Sequence, residues 1–78
     1  MIQVPNFGRE RFTEMSDGNL STKASVLGWP AGFFPEEFTI GRERFTRIAA
    51  ERLPGSARAE VTHWLYRSRQ RNCRVING

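Results

Sequence analysis

Cysteine and histidine are almost missing from the sequence, which has one of each, Cys73 and His63. One cysteine cannot form an internal disulfide, and a structural zinc site needs four cysteine or histidine ligands at close spacings. We therefore expect Cys73 to be a reduced thiol and the chain to hold no metal. No cofactor is expected either, because the sequence has no glycine-rich phosphate-binding loop.

Long hydrophobic runs are missing as well. No stretch is long enough to span a bilayer as an apolar helix, and the N-terminus lacks the basic-then-apolar layout of a signal peptide. We therefore expect a cytoplasmic protein that does not bind a membrane. A length of 78 residues suits one domain, residues 1–78, and leaves no room for a second core.

Groups that could form a catalytic site are also few. His63 has no second histidine to work with, and the adjacent Glu36 and Glu37 point apart in a helix or a strand, so they make a poor acid–base pair. The sequence has no nucleophile-elbow motif of the type glycine-x-serine-x-glycine. We expect neither enzymatic activity nor a small-molecule substrate.

Positive charge, in contrast, is present and is concentrated at one end. Residues 1–60 carry eight basic and eight acidic side chains, so the whole net charge of +4 comes from a basic C-terminal end, residues 67–78. Its four arginines have no compensating carboxylate: Arg67, Arg69, Arg71 and Arg74. Such a run attracts nucleic acid by counterion release, whereas the alternative is a solvated surface without a partner. We predict nucleic-acid binding.

The first third of the chain predicts two short helices. Residues 9–15 are compatible with one helix, and residues 16–19 form a strong turn sequence. Ser21 or Thr22 is suited to cap a second helix over residues 23–27. A helix, a tight turn and a second helix make the outline of a helix-turn-helix.

The middle of the chain predicts a β-hairpin. Phe38 and Ile40, and then Phe45, alternate with polar residues around the sequence Gly-Arg-Glu-Arg at 41–44. The tip of this hairpin would be basic. The next segment, residues 47–53, favours a helix.

Two structures compete for the last part of the chain. One is a helix capped by Ser56, with an apolar stripe at helical spacing made of Val61, Trp64, Leu65 and Ser68. The other is a second hairpin, with strands at 60–67 and 73–76, because β-branched and aromatic residues also alternate there with period two. The sequence Ala-Arg-Ala-Glu at 57–60 favours the helix. The predicted fold is therefore mainly α with a small β-hairpin, a winged helix-turn-helix, and the alternative is a β-rich meander.

Three segments resemble the excisionases and the AlpA-like regulators of phages and integrative elements, small relatives of the MerR-type winged-helix family. Leu-Ser-Thr-Lys-Ala-Ser-Val at 20–26 is similar to the start of the family's recognition helix. Gly-Phe-Phe-Pro at 32–35, with Gly41 and Arg44 after it, is similar to the segment that leads into the wing. Ala-Glu-Val-Thr-His-Trp-Leu at 59–65 is similar to the opening of the closing helix.

The resemblance implies a DNA-binding site made of a helix and a wing. Short polar and basic side chains of the second helix would enter the major groove, and the arginines of the wing would enter the adjacent minor groove. The predicted DNA contacts, together with arginines of the basic C-terminal end, are Ser21, Thr22, Lys23, Ser25, Arg42, Arg44, Arg47, Arg67, Arg69 and Arg71.

The resemblance also implies a function and a set of partners. The protein would be a sequence-specific architectural factor, a recombination directionality factor that assists excision, or a regulator of nearby transcription. Its partners would be double-stranded DNA, a tyrosine-family integrase and neighbouring copies of itself in a bacterial nucleoid.

The alternative function is a small β-rich protein-interaction module, such as a phage- or plasmid-encoded inhibitor. It is favoured by the period-two pattern of residues 60–76 and by the sequence Trp-Pro-Ala-Gly-Phe at 29–33, which we expect to be exposed.

Overall fold

The computed structural model describes residues 3–51 and 63–78. Seven strands in this part of the chain pair into a single sheet, and a short 3₁₀ turn, Arg9–Arg11, lies between the first two. The sheet curves into a half-barrel, with the strand order β1-β4-β5-β6-β7-β3-β2. The strands are β1 (Asn6–Phe7), β2 (Thr13–Glu14), β3 (Leu20–Lys23), β4 (Glu37–Ile40), β5 (Glu43–Glu51), β6 (His63–Arg67) and β7 (Asn72–Ile76).

Four consecutive strands, β4 to β7, form an antiparallel meander at the centre of the sheet. β3 pairs in parallel with β7, and β1 pairs in parallel with β4. The segment between β3 and β4, residues 24–36, therefore crosses from one side of the sheet to the other, and we call it the crossing segment. Its Trp29 and Phe34 side chains are buried in the core cluster, so the crossing segment covers the core of the half-barrel.

Buried residues alternate with more exposed residues along the strands, as expected where one face of a sheet is covered. In β4, Phe38 and Ile40 are buried, and their neighbours in the strand are partly exposed. The alternation breaks in β5, where the pairing register shifts between Arg47 and Ala49. Such a bulge inserts one extra residue into a strand. Ile48, which lies at the shift, is 42% exposed.

Aromatic rings make up most of the core. Phe38, Phe45 and Tyr66 have no exposed surface, and the ring centroid of Phe38 lies 5.4 Å from that of Phe45 and 4.8 Å from that of Tyr66. Trp29 packs edge-on against Phe38 with the ring centroids 5.4 Å apart. The Tyr66 hydroxyl donates a hydrogen bond of 2.8 Å to the carbonyl of Pro35. The rings and this hydrogen bond hold the crossing segment on the sheet.

The turn between β4 and β5 has two residues, Gly41 and Arg42, since Ile40 pairs with Glu43. Gly41 has a φ of +60°, and no other type of residue in the described chain has a positive φ. Glycine with positive φ at the first position of a two-residue turn is the pattern of a type II′ hairpin. The predicted hairpin around residues 41–44 is confirmed.

The predicted fold, mainly α with a winged helix-turn-helix, is wrong, because the described residues form no α-helix. Residues 9–15, predicted as the first helix, contain the 3₁₀ turn and β2. Residues 47–51, also predicted helical, belong to β5. The β-rich alternative fits the structure. Within the described residues, no helix has the length and apolar character needed to cross a membrane.

Long-range pairing explains these differences. Helices as short as those predicted at 9–15 and 23–27 are marginal in water, so little intrinsic stability opposes the pairing of strands. β6 and β7 form the second hairpin, with Arg67 opposite Asn72. Successive residues of a strand point to opposite faces, so the predicted helical stripe does not exist at positions 64 and 65. The predicted cap, Ser56, lies outside the described residues.

Candidate nucleic-acid interface

The two hairpins of the meander end side by side. The turn at Gly41 and Arg42 joins β4 to β5, and the turn at residues 68–71 joins β6 to β7. Alternate turns of an antiparallel meander lie at the same end of the sheet. The neighbouring strands β5 and β6 are paired there, with Thr46 opposite Arg67. The fold therefore brings together two arginine-bearing turns that are far apart in the sequence.

Glu43 joins the two hairpins. Its carboxylate accepts hydrogen bonds from Nε (3.2 Å) and Nη2 (3.0 Å) of Arg71 and another, of 2.6 Å, from the Ser68 hydroxyl. The side chains of Arg71 and Glu43 are 15% and 13% exposed, so water is largely excluded from the ion pair. Burial raises the pKa of Glu43, but the hydrogen bonds from Arg71 and Ser68 outweigh it and leave that pKa lowered. The carboxylate is ionised at neutral pH, and Arg71 neutralises its charge.

Ser68 also shapes its own turn. Its hydroxyl oxygen accepts hydrogen bonds of 3.1 Å from the N–H groups of Gln70 and Arg71. Its backbone N–H donates a hydrogen bond of 2.8 Å to the carbonyl of Arg71. Because the same hydroxyl donates to Glu43, the second turn is closed and is tied to the first hairpin by one side chain.

A groove of about 650 Å³ lies along the two hairpin tips, and we call it the hairpin groove. It is lined by Arg42, Glu43, Arg44, Thr46, Ile48, Arg67, Ser68, Arg69 and Gln70. The four arginines are exposed. The one carboxylate among these residues is that of Glu43, which Arg71 neutralises. The hairpin groove therefore carries a net positive charge.

The groove arginines have weak anionic partners or none within the described residues. Arg44 lies 3.8 Å from Glu37, and the two side chains are 67% and 39% exposed. Exposed pairs of this kind contribute little to stability. Arg67 has only the amide oxygen of Asn72 at 3.4 Å. Arg42 and Arg69, like Arg67, have no ion pair with a described carboxylate. These guanidinium groups can each bind an added anion.

Four of the predicted DNA contacts meet in the hairpin groove: Arg42, Arg44, Arg67 and Arg69. Arg71 is their neighbour and is engaged with Glu43. Arg47 does not take part. Its Nη1 donates a hydrogen bond of 2.7 Å to the carbonyl of Phe34, and its guanidinium carbon lies 5.1 Å from the ring centroid of Trp64. Arg47 therefore holds the crossing segment in place.

The predicted recognition helix is wrong, because the four polar residues assigned to it lie in a strand and a turn. Three belong to β3 and one to the turn after it: Ser21, Thr22, Lys23 and Ser25. Thr22 is buried and donates a hydrogen bond of 2.6 Å to the carbonyl of Arg11. Lys23 pairs with Ile76, at the end of β7 that lies away from the hairpin tips. Lys23 and the hairpin groove are therefore at opposite ends of the sheet.

The groove residues Thr46, Ser68 and Gln70 were not predicted, nor was the link through Glu43. A signal was present in the period-two pattern of residues 60–76. Treated as two strands, that segment places a turn near position 70, beside the other hairpin tip in a meander. Because the sequence Ala-Arg-Ala-Glu at 57–60 favoured a helix, this turn was not predicted. The basic C-terminal end also contains β7, which lies inside the sheet between β6 and β3.

A second depression, which we call the acidic corner, lies near the start of β4. It measures about 410 Å³ and is lined by Gln3, Val4, Pro5, Phe33, Pro35, Glu36 and Glu37. Phe33 is 48% exposed, whereas Trp29 is only 8% exposed. The expectation that the stretch 29–33 is exposed therefore fails for Trp29, which belongs to the core.

The cysteine and the histidine, two residue types common in active sites and metal sites, are both buried. Cys73 has no exposed surface, and burial raises the pKa of its thiol to about 12, which makes it a poor nucleophile. His63 is 7% exposed, and its Nε2 contacts Oε2 of Glu51. Within residues 3–51 and 63–78, no group of three histidine, cysteine, aspartate or glutamate side chains could hold a metal ion.

Comparisons with protein-family models, with curated proteins and with solved structures find no match to this chain.

Proposed function

We propose that this protein binds nucleic acid through the hairpin groove and that the groove arginines contact phosphate groups. One observation carries the proposal. Four exposed arginines line a single groove, and the one carboxylate among its described lining residues, that of Glu43, is already neutralised by Arg71. Planar guanidinium groups match the geometry of phosphate oxygens and form charge-assisted hydrogen bonds with them. Each neutralised phosphate also releases condensed counterions, which favours binding.

The fold supports contact through a preformed surface. The links from Glu43 to Arg71 and to Ser68 hold the two tips together without a ligand. Like charges that are held close repel one another, and a polyanion removes that repulsion. A preorganised surface also loses less conformational entropy on binding than a flexible tail would.

Double-stranded DNA, a tyrosine-family integrase and neighbouring copies of this chain are the partners that the resemblance implies. Within this proposal the excisionase or regulatory role stays an expectation from the resemblance. DNA contact through a recognition helix is not part of it, because the residues concerned lie in β3 and the following turn.

Fluorescence anisotropy with a labelled oligonucleotide tests the proposal. We expect the wild-type protein to bind and the affinity to fall as salt rises. The variant Arg67→Ala/Arg69→Ala should bind at least about tenfold more weakly, and the slope of log K against log salt should become shallower by about 2. Each single variant should have an intermediate effect.

Lys23→Ala is the matched control for the single variants, since it removes one positive charge from an exposed position at the other end of the sheet. We expect its affinity to be close to that of the wild type. Equal losses for Lys23→Ala and Arg69→Ala would show that only net charge matters, and unchanged binding by the arginine variants would refute the proposal. Circular dichroism of every variant establishes that it is folded.

A second candidate function is protein binding at the acidic corner, which the β-rich fold and the exposed Phe33 favour. Two carboxylates, those of Glu36 and Glu37, lie beside this ring, and no basic side chain is among the described lining residues. A fitting partner is a segment that combines an apolar residue with lysine or arginine. An array of such peptides should bind the wild type and lose binding with Phe33→Ser. Equal signals from both proteins would exclude this candidate.

A further inference from the structure

We infer that the nucleic acid bound in the hairpin groove is double-stranded, and that it is held by its phosphates from outside rather than by contacts to bases. This inference rests on the proposed function and narrows the class of ligand. It follows from the absence of aromatic rings in the groove, from the width of the paired hairpins and from the fixed spacing of the arginines.

The aromatic residues of the chain lie outside the hairpin groove. Proteins that bind single strands without sequence preference stack bases on aromatic side chains. None of the residues that line the hairpin groove is aromatic. All nine phenylalanine, tryptophan and tyrosine residues lie in the described part of the chain. Phe38, Phe45 and Tyr66 are fully buried, and the most exposed ring, that of Phe33, lies in the acidic corner. The groove therefore lacks an aromatic platform on which unpaired bases could stack.

The paired hairpin tips are wider than the major groove of B-DNA. The two hairpins span four adjacent strands, β4 to β7, which is three spacings of about 4.8 Å and so about 14 Å between the outer strands. The major groove of B-DNA is about 12 Å wide and admits a helix or a two-stranded ribbon. The ion pair of Glu43 with Arg71 keeps the second hairpin beside the first. The pair of tips is thus too wide to enter one groove together and instead meets the phosphate backbone.

Strand pairing sets the distance between two backbone positions that carry groove arginines, Arg44 and Arg67. Thr46 lies opposite Arg67, and Arg44 is two residues from Thr46 on the same face of β5. Arg44 and Arg67 are therefore diagonal neighbours on the sheet, and their backbone positions are about 7–8 Å apart. Strand pairing fixes this backbone distance, from which the two exposed side chains extend. Arginines that start from fixed backbone positions suit the regular phosphates of a duplex better than the variable phosphates of a flexible single strand.

Binding of one labelled oligonucleotide, as a single strand and as the duplex with its complement, tests the inference at constant salt. We expect the duplex to bind about tenfold more tightly, and duplexes rich in A·T or in G·C to differ by less than that. A single strand that binds as tightly as the duplex would overturn the inference, as would a tenfold preference among duplex sequences. If neither form binds, the proposed function itself fails.

The substitution Ile48→Trp adds a positive test. Ile48 lines the groove and is 42% exposed, so a larger ring there meets solvent rather than the core. The absence of aromatic rings predicts that this variant gains single-strand affinity by about fivefold or more and gains little duplex affinity. Ile48→Leu is the control, since it changes the same position and keeps an apolar side chain without adding a ring. Equal gains for both nucleic-acid forms would contradict the role assigned to the missing rings.

Discussion

Glu43 and Arg71 form a two-point ion pair between the hairpins, with Nη2 of Arg71 3.0 Å from Oε1 of Glu43 and Nε 3.2 Å from Oε2. Glu43 begins β5, and Arg71 ends the turn between β6 and β7. The pair removes one positive and one negative charge from the tip of the sheet. As a result, four arginines of the two tips remain exposed to solvent in the hairpin groove. None of them forms an ion pair with a described carboxylate as close and as buried as that of Arg71 with Glu43.

Replacing the acid of this pair should destabilise the protein. In Glu43→Gln the partly buried Arg71 loses its counter-charge, and we expect the free energy of unfolding to fall by about 1–3 kcal/mol. Urea denaturation followed by tryptophan fluorescence measures this change. Glu37→Gln is the control, because its pair with Arg44 is exposed and 3.8 Å long, and its effect should stay below about 0.5 kcal/mol. Equal effects of the two substitutions would contradict a structural role for Glu43.

The same ion pair predicts a pH dependence. The pKa of Glu43 is lower in the folded protein than its ordinary value of 4.5, so the ionised form stabilises the fold. This contribution is present above the unfolded-state pKa and is lost as the pH falls through the folded-state pKa. Urea denaturation at neutral pH and well below pH 4.5 measures how much the free energy of unfolding falls with acidification. We expect this fall to be smaller for Glu43→Gln than for the wild type. A loss of the same size in both proteins would assign the acid sensitivity to other carboxylates.

Alkaline pH should reveal the burial of Tyr66, the one tyrosine of the chain. Burial raises the pKa of its phenol above the ordinary value of 10.0. The stability that depends on the protonated phenol is complete below pH 10.0 and is lost as the pH rises above it. We expect phenolate absorbance to appear together with unfolding. Absorbance that rises near pH 10 in a protein with native tryptophan fluorescence would contradict this.

Tyr66→Phe is the matching variant for that experiment. It has no phenol to titrate, and it loses the hydrogen bond to the carbonyl of Pro35 while the ring is kept. We expect the free energy of unfolding to fall by about 0.5–1.5 kcal/mol. A stability equal to that of the wild type would mean that this bond does not help to hold the crossing segment.

The thiol of Cys73 should be unreactive in the native protein. It has no exposed surface, and burial raises its pKa to about 12, so little thiolate forms at mildly alkaline pH. Mass spectrometry after iodoacetamide treatment should show no adduct under native conditions and one adduct in urea. Rapid alkylation of the native protein would mean that the core at β7 opens readily.

Features of the structure that depend on neighbouring residues could be predicted from the sequence. The sequence Gly-Arg-Glu-Arg at 41–44 predicted a turn between alternating strands. In the structure the turn consists of Gly41 and Arg42, where glycine reaches the positive φ that this turn needs. The helices predicted at 9–15 and 23–27 are wrong, because the structure has a 3₁₀ turn and β2 in the first segment and the end of β3 with a turn in the second. Helices this short have little stability of their own. In residues 60–76 both periods fit, and only pairing of β6 with β5 and β7 separates them.

The candidate site divides in the same way. Its positive charge follows from the sequence alone, since every basic residue after position 60 lacks an acidic neighbour in the chain. The position of each arginine depends on tertiary contacts: Arg67 and Arg69 join Arg42 and Arg44 in the hairpin groove, Arg71 pairs with Glu43, and Arg47 packs on Trp64. Strand pairing and ion pairing act between residues that are distant in sequence, so local patterns of residue type do not determine them.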